Sequence, residues 1–218
     1  ACKYSWKIVT VSEFSQKRIC EKYGLSYDKV PIIYDGLADV FQKISDEGYE
    51  CLEKYNIPKE YILSVSTIEP RKNIQLLIAA YSELIKEGIN IPDLVLAGRK
   101  GWKIEEITSN ISEDIKNRIH FTGFVEDSDL PALYCKSRVF VFPSKYEGFG
   151  LPVIEALSQG AVVVCSNAAS LPEVAGDIGI IFNSDCKDDL KNKLLYSLDI
   201  KRTPEYVKKA VALGNKYN

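Results

Sequence analysis

Methionine is absent from this 218-residue sequence, histidine occurs once, and no two cysteines stand in a Cys-x-x-Cys pair. Six cysteines scattered at 2, 20, 51, 135, 165 and 186, with one imidazole beside them, exclude a zinc site, and no metal is expected. Cys135 and Cys165 sit in apolar surroundings and read as small buried thiols, which points to a reducing, cytoplasmic setting. No apolar run approaches the roughly 20 residues that cross a bilayer. The opening Ala1-Cys-Lys-Tyr-Ser-Trp-Lys lacks the apolar stretch of a signal peptide. Neither charge is in excess: 28 Lys and Arg stand against 30 Asp and Glu, and a net charge of −2 offers nucleic acid no basic field. There is no internal repeat and no low-complexity tract. The missing methionine and the start at Ala1 read as a piece cut from a longer protein.

What is present is an ordinary globular composition, 46% hydrophobic and 27% charged, in a chain long enough to bury a substantial core. Trp6-Lys-Ile-Val-Thr-Val reads as a strand, followed by a helix that Ser12 caps and Gly24 ends; Val30-Pro-Ile-Ile reads as a second strand, closed by a turn at Asp35-Gly36. A short helix is expected over 46–55. From Tyr61 a βα rhythm sets in, with strands at Tyr61-Ile-Leu-Ser-Val, Leu94-Val-Leu-Ala, Arg118-Ile-His-Phe, Val139-Phe-Val-Phe, Ala161-Val-Val-Val and Gly179-Ile-Ile-Phe. Between them lie helical patterns over 74–85, 104–116, 127–136, 152–159, 187–198 and 204–217. Strands that are apolar throughout, separated by amphipathic helices, predict an α/β fold: a Rossmann-like parallel sheet with helices on both faces. In such a sheet ligands bind at the carboxyl ends of the strands. The loops 67–73, 98–102, 123–129 and 143–150 all follow strands.

Two of these loops carry chemistry. Glu147-Gly-Phe-Gly-Leu-Pro-Val-Ile-Glu155 places two carboxylates eight positions apart, with a glycine-rich turn and a helix start between them. Free backbone N–H groups of Gly148, Phe149, Gly150 and Leu151, at the positive end of the helix dipole, make a seat for phosphate. The flanking carboxylates can accept hydrogen bonds from hydroxyls of a sugar or a ribose. Thr67-Ile-Glu-Pro-Arg71-Lys72-Asn73 brings a guanidinium fork and an ammonium point charge beside another helix start, suited to a diphosphate. Its plainer alternative is a solvated basic turn, and Glu155 read alone could be an exposed helix residue. His120, in an apolar strand, reads as a packed core residue, as do Phe140, Phe142 and Tyr146. A dinucleotide fingerprint at Gly148-Phe-Gly150 is weak, because Val153 stands where its third glycine belongs.

The segment Phe142-Pro-Ser-Lys-Tyr-Glu-Gly-Phe-Gly-Leu-Pro-Val-Ile-Glu-Ala resembles the Glu-x7-Glu signature of the retaining family 4 glycosyltransferases. The likeness runs from about Val9 to Tyr217, including Val11-Ser-Glu-Phe-Ser, the Glu-Pro-Arg-Lys-Asn loop and Leu171-Pro-Glu-Val174; Ser66 replaces the family's usual glycine. The resemblance implies a GT-B fold of two Rossmann-like domains. Here residues 1–36 would be a terminal strand-helix-strand segment and 37–218 the donor domain, with the N-terminal acceptor domain absent. It further implies that Arg71 and Lys72 hold the donor's phosphates and that Glu147 meets the donor sugar at the reacting carbon. Glu155 would bind the ribose, and Gly123, Phe124 and Val125 would line the base. No cofactor is implied, only a nucleotide diphosphate sugar as donor, with the Glu-Pro-Arg-Lys loop inclining toward GDP-mannose, and a glycan or glycolipid hydroxyl as acceptor. Peripheral contact with the inner face of the cell membrane stays open, as does the alternative of a binding module without turnover or another GT-B enzyme such as an epimerase. The fragment alone is expected to be inactive.

Overall fold

A computed structural model describes residues 4–45, 50–99 and 111–217. Its centre is a six-stranded, all-parallel sheet in the order β3-β2-β1-β4-β5-β6. The strands are β1 (Tyr61–Val65), β2 (Asp93–Ala97), β3 (Ile119–Gly123), β4 (Val139–Phe142), β5 (Val163–Ser166) and β6 (Ile180–Phe182). The helices, in chain order, are α1 (Glu13–Tyr23), α2 (Glu50–Lys54), α3 (Ile74–Lys86), α4 (Glu113–Lys116) and α5 (Leu130–Lys136). They continue with α6 (Leu151–Ser158), α7 (Leu171–Ala175), α8 (Lys187–Asp199) and α9 (Pro204–Gly214).

The strands are apolar throughout because both faces are covered. Successive side chains point to opposite faces. Tyr61, Leu63, Phe140, Phe142, Val163 and Cys165 therefore enter one core, with α5, α6, α7 and α9. Ile62, Leu94, Leu96, Val139, Val141 and Val164 enter a second core, under α3 and α8. Each fully buried aliphatic or aromatic side chain contributes about 1.5–3 kcal/mol, so these two layers hold the sheet rigid beneath its loops. The thiol of Cys165, buried among them, is pushed up to about 12 by desolvation.

Chain direction sets the site. From β1 the chain runs on to β2 and β3 at one side of the sheet; from β4 it runs to β5 and β6 at the other. The carboxyl ends of the adjacent strands β1 and β4 thus flank the point where the winding reverses, which is where open α/β sheets leave a crevice.

Several expected elements take another form. The strands expected near Thr10 and Ile32 make one isolated parallel bridge, supported by Ile8 N–H to Lys29 O (2.9 Å) and Ile33 N–H to Thr10 O (2.8 Å). Pro31 has no N–H to extend that ladder, and Trp6 at 89% and Ile33 at 62% exposure are not buried as strand residues covered on both faces would be. No turn forms at Asp35-Gly36. The helix expected over 46–55 is described from Glu50, and positions 46–49 lie outside the described residues, as do 104–110 of the helix expected over 104–116. Helix α7 was not expected: five residues are too few to show a helical period. Among the described residues no helix is long and apolar enough to cross a membrane.

Candidate functional site

Glu69 ends an extended stretch beyond β1, and Pro70 opens a single 3-10 turn over Pro70–Lys72. Asn73, in the left-handed region at φ 56°, stops that turn and starts α3; asparagine tolerates this conformation better than most residues. The turn carries Arg71 and Lys72 to the loop after β4. There Lys72 Nζ lies 2.6 Å from Glu147 Oε1, and Arg71 Nη1 lies 2.9 Å from Glu147 Oε2. Arg71 Nη2 also reaches Glu69 Oε1 at 2.7 Å, and the Ser144 hydroxyl donates to Glu147 Oε1. Burial works to raise the pKa of Glu147, but the hydrogen bonds from Lys72 and Ser144 and the charges of Lys72 and Arg71 outweigh it. Its carboxyl is held below the ordinary range. Lys72 also lies 5.1 Å from the centre of the Phe142 ring.

Next to this cluster the chain turns through Gly148-Phe149-Gly150 into α6, which has Pro152 in its first turn. Gly150 takes φ 117°, a backbone angle that favours glycine, and a Cβ there would also push on the tip of the Leu171 side chain at 2.8 Å. Among the described residues, the amide N–H groups of Gly148, Phe149, Gly150 and Leu151 donate to no protein acceptor. Unpaired amide donors beside two cations are chemically suited to an anion.

Beyond β1, β2 and β3 lies a cavity of about 250 Å³, lined by Ser66, Thr67, Gly98, Phe124, Val125 and Asp127 among others. Gly98, at φ 137°, places its missing Cβ 2.1 Å from the Ser66 carbonyl oxygen, so no side chain fits there. Its N–H donates to Gly123 O at 2.8 Å, which engages the Gly123 carbonyl. Val125 is buried, whereas Phe124 is half-exposed with the Arg99 guanidinium 5.3 Å above its ring. The Gly98–Trp102 loop reaches positions outside the described residues beyond Arg99.

Glu155 does not join the ion cluster. It lies one turn into α6, and its Oε2 accepts a 2.8 Å hydrogen bond from the hydroxyl of Tyr134, a fully buried residue of α5. Burial raises its pKa to about 7, Asp127 at the cavity adds to the rise, and the Tyr134 bond pulls it partly back. The two carboxylates of the motif thus have opposite surroundings.

The structure gathers Arg71, Lys72, Glu147 and the Gly148–Leu151 turn at the β1/β4 crevice, with Phe124 and Val125 on the neighbouring cavity. Tyr146, expected in the core, is half-exposed, its ring set edge-on to Phe14 at 5.7 Å, because it lies past the end of β4. His120 is partly buried, with its Nε2 2.8 Å from Asp93 at the start of β2, the end of the sheet away from the site. Ser144, Tyr134 and Arg99 escaped the sequence reading. Ser144 had a faint signal in standing three residues before Glu147; the others had none.

The geometry has relatives. Residues 52–213 match the family model of glycosyl transferases group 1. O-antigen chain mannosyltransferase B of Escherichia coli is 40% identical over 196 residues, an alignment that takes in 88% of this chain and 51% of that protein. The chain therefore spans about half the length of that curated relative. Among solved structures, a glycosyltransferase from Rickettsia africae superposes with a TM-score of 0.84 at 22% identity, over 97% of this chain and 59% of its own. HepE of Anabaena, solved in complex with UDP, superposes with a TM-score of 0.82 at 19% identity, over 100% and 61% respectively. At such identities the structures show a shared fold, whereas the family model covers most of the sequence, and on that ground this chain belongs to the glycosyl transferases group 1.

Proposed function

We propose that this chain is the donor-binding part of a glycosyltransferase. It binds a nucleotide diphosphate sugar, from which the glycosyl unit passes, with retained configuration, to a hydroxyl of a glycan or glycolipid. The observation that carries the reading is the meeting of Arg71 and Lys72 from one loop with Glu147 and four unpaired amides from another, at the reversal point of a parallel sheet. In this reading the diphosphate takes Arg71, Lys72 and the amides. Glu147 exchanges its cations for hydroxyls of the donor sugar, and the base enters the cavity beside Phe124 and Val125. Glu155 accepts hydrogen bonds from the ribose. As the bond from the anomeric carbon to the diphosphate breaks, the same fixed donors stabilise the charge that gathers on the leaving oxygen. The mannosyltransferase relative and the Glu-Pro-Arg-Lys loop both favour GDP-mannose as the donor. The acceptor is assigned to a further domain facing this site.

Calorimetric titration with GDP-, UDP- and dTDP-sugars, and with the bare nucleosides, tests the proposal. One nucleotide series is expected to bind. Arg71→Ala is expected to weaken its diphosphates by about 1.5–3 kcal/mol and the nucleoside much less. Equal losses for both ligands would remove the phosphates from Arg71.

A further inference from the structure

The Val11-Ser12-Glu13-Phe14-Ser15 segment and Ser170 have no part in the reading above, yet both touch the glycine turn. The Ser170 hydroxyl shares its proton between Glu147 O at 3.0 Å and Phe149 O at 2.7 Å. On the other side, Ser12 Oγ donates to the intervening carbonyl, Gly148 O, at 2.6 Å, and Ser15 Oγ reaches the same oxygen at 3.2 Å. Arg71 Nη1 takes the carbonyl before them, Tyr146 O, at 2.9 Å. Four consecutive carbonyls are thus each held by a side-chain donor.

A trans peptide fixes its C=O and the next N–H antiparallel, and the chain has no cis bond among the described residues. Holding the carbonyls of Glu147 and Phe149 toward Ser170 therefore turns the N–H groups of Gly148 and Gly150 together in the opposite direction. Ser12 and Ser15 hold the peptide between them the other way. Ser170 is built for this task. It stands at the N-cap of α7 but makes no capping bond with its side chain, is fully buried, and follows Ala169, which sits at φ 54°. A left-handed alanine costs about 1 kcal/mol or more, a strain that the packed surroundings hold in place next to the hydroxyl.

We infer that Ser170, with Ser12 and Ser15, is a positioning residue that orients the Gly148 and Gly150 amides as one two-donor seat for a phosphate oxygen. Ser12 is also the N-cap of α1, accepting from Ser15 N–H at 3.1 Å, and Glu173 of α7 accepts from Glu13 N–H at 3.0 Å and Phe14 N–H at 3.3 Å. The amino-terminal helix is therefore fastened to the loop that it helps to orient. The inference rests on the phosphate reading proposed above.

The test compares Ser170→Ala, Ser12→Ala, Ser170→Thr and a control, Ser197→Ala, which removes another buried hydroxyl, one bonded to Leu194 O on α8. Each variant is checked for folding by circular dichroism. Affinity for pyrophosphate, for GDP and UDP, and for guanosine and uridine is measured by calorimetry. The mobility of the Gly148 and Gly150 amides is read from heteronuclear NOEs on the unliganded protein. Ser170→Ala and Ser12→Ala are expected to lower pyrophosphate and diphosphate affinity about tenfold, to leave the nucleoside unchanged and to lower the two NOEs. Threonine at 170 is expected to restore both, and Ser197→Ala to change neither. Folded alanine variants with rigid amides and native diphosphate affinity would overturn the inference, as would equal losses for nucleoside and diphosphate. A wild-type protein that binds no pyrophosphate and neither diphosphate would instead overturn the phosphate reading, while the NOEs still decide whether the serines orient the turn.

Discussion

Glu147 and Glu155 carry the same carboxyl group into opposite surroundings, and their expected behaviour divides accordingly. Glu147 is ionised and holds both cations of the site. A phosphate arriving there competes with it, so Glu147→Gln is expected to tighten pyrophosphate by about 1–2 kcal/mol while weakening discrimination for the intact sugar donor. Calorimetry with both ligands checks this, and a loss of pyrophosphate affinity would show that Glu147 helps to hold the phosphates. Glu155 is pushed up to about 7 by burial. Its folded pKa therefore lies above that of the unfolded chain. The stability that this group contributes is complete below the ordinary carboxylate range and is lost as pH rises through about 7. Glu155→Gln keeps an acceptor for Tyr134 without the charge. Urea unfolding is expected to find this variant more stable than the native chain at pH 8 by about 2–3 kcal/mol and close to it at pH 5. The same change at both pH values would mean that no buried charge is involved. Nucleotide affinity is expected to fall in the same variant, a stability cost held in place for binding.

At the scale of elements, the sheet and its helices were legible because their cause is local: apolar runs of four or five residues bounded by turn residues, with amphipathic stretches between them. Boundaries drifted where apolar sequence overran the hydrogen bonding, as at Ala161 and Val162, which precede β5. The Thr10 and Ile32 strands failed because pairing depends on neighbours that the local pattern does not encode. Arg71, Lys72 and Glu147 stood out in the sequence as charges on two strand-to-helix loops, and the fold brings the three together. Ser170 and Tyr134 did not, because a serine or tyrosine acquires its role from a partner about twenty residues away, brought near only by the fold. Gly98 is an intermediate case, a common strand-end glycine whose necessity shows only against the Ser66 carbonyl. Gly98→Ala combines a backbone at φ 137° with a Cβ only 2.1 Å from the Ser66 carbonyl oxygen. It is expected to cost about 2–4 kcal/mol, more than the roughly 1 kcal/mol of a glycine lost from an open turn, and to impair nucleoside and nucleotide binding alike, since the cavity wall moves. Thermal unfolding and titration with nucleoside check both parts, and a native melting temperature would show that the Ser66 carbonyl yields.

For the molecule as a whole, the glycine turn, the cavity and both glutamates gather at one end of a single sheet, Glu147 on a loop and Glu155 in the first turns of α6, resting on two cores. Binding of the donor is therefore expected from these 218 residues by themselves. Transfer demands more. An acceptor hydroxyl must be held against the anomeric carbon, and such positioning accounts for roughly 7–11 kcal/mol of a barrier. Water must also be kept from the reacting bond. The chain spans 51% of its mannosyltransferase relative and 59–61% of the two solved structures described above. The isolated 218 residues, given GDP-mannose and a mannosylated acceptor, are expected to bind the donor and to release mannose slowly to water, without forming a glycosidic bond at a useful rate. Mass spectrometry of the acceptor, alongside calorimetry of the donor, separates the two abilities. Efficient transfer by these residues alone would mean that the acceptor is held by the donor loops themselves, and the assignment of the acceptor to a second domain would fall.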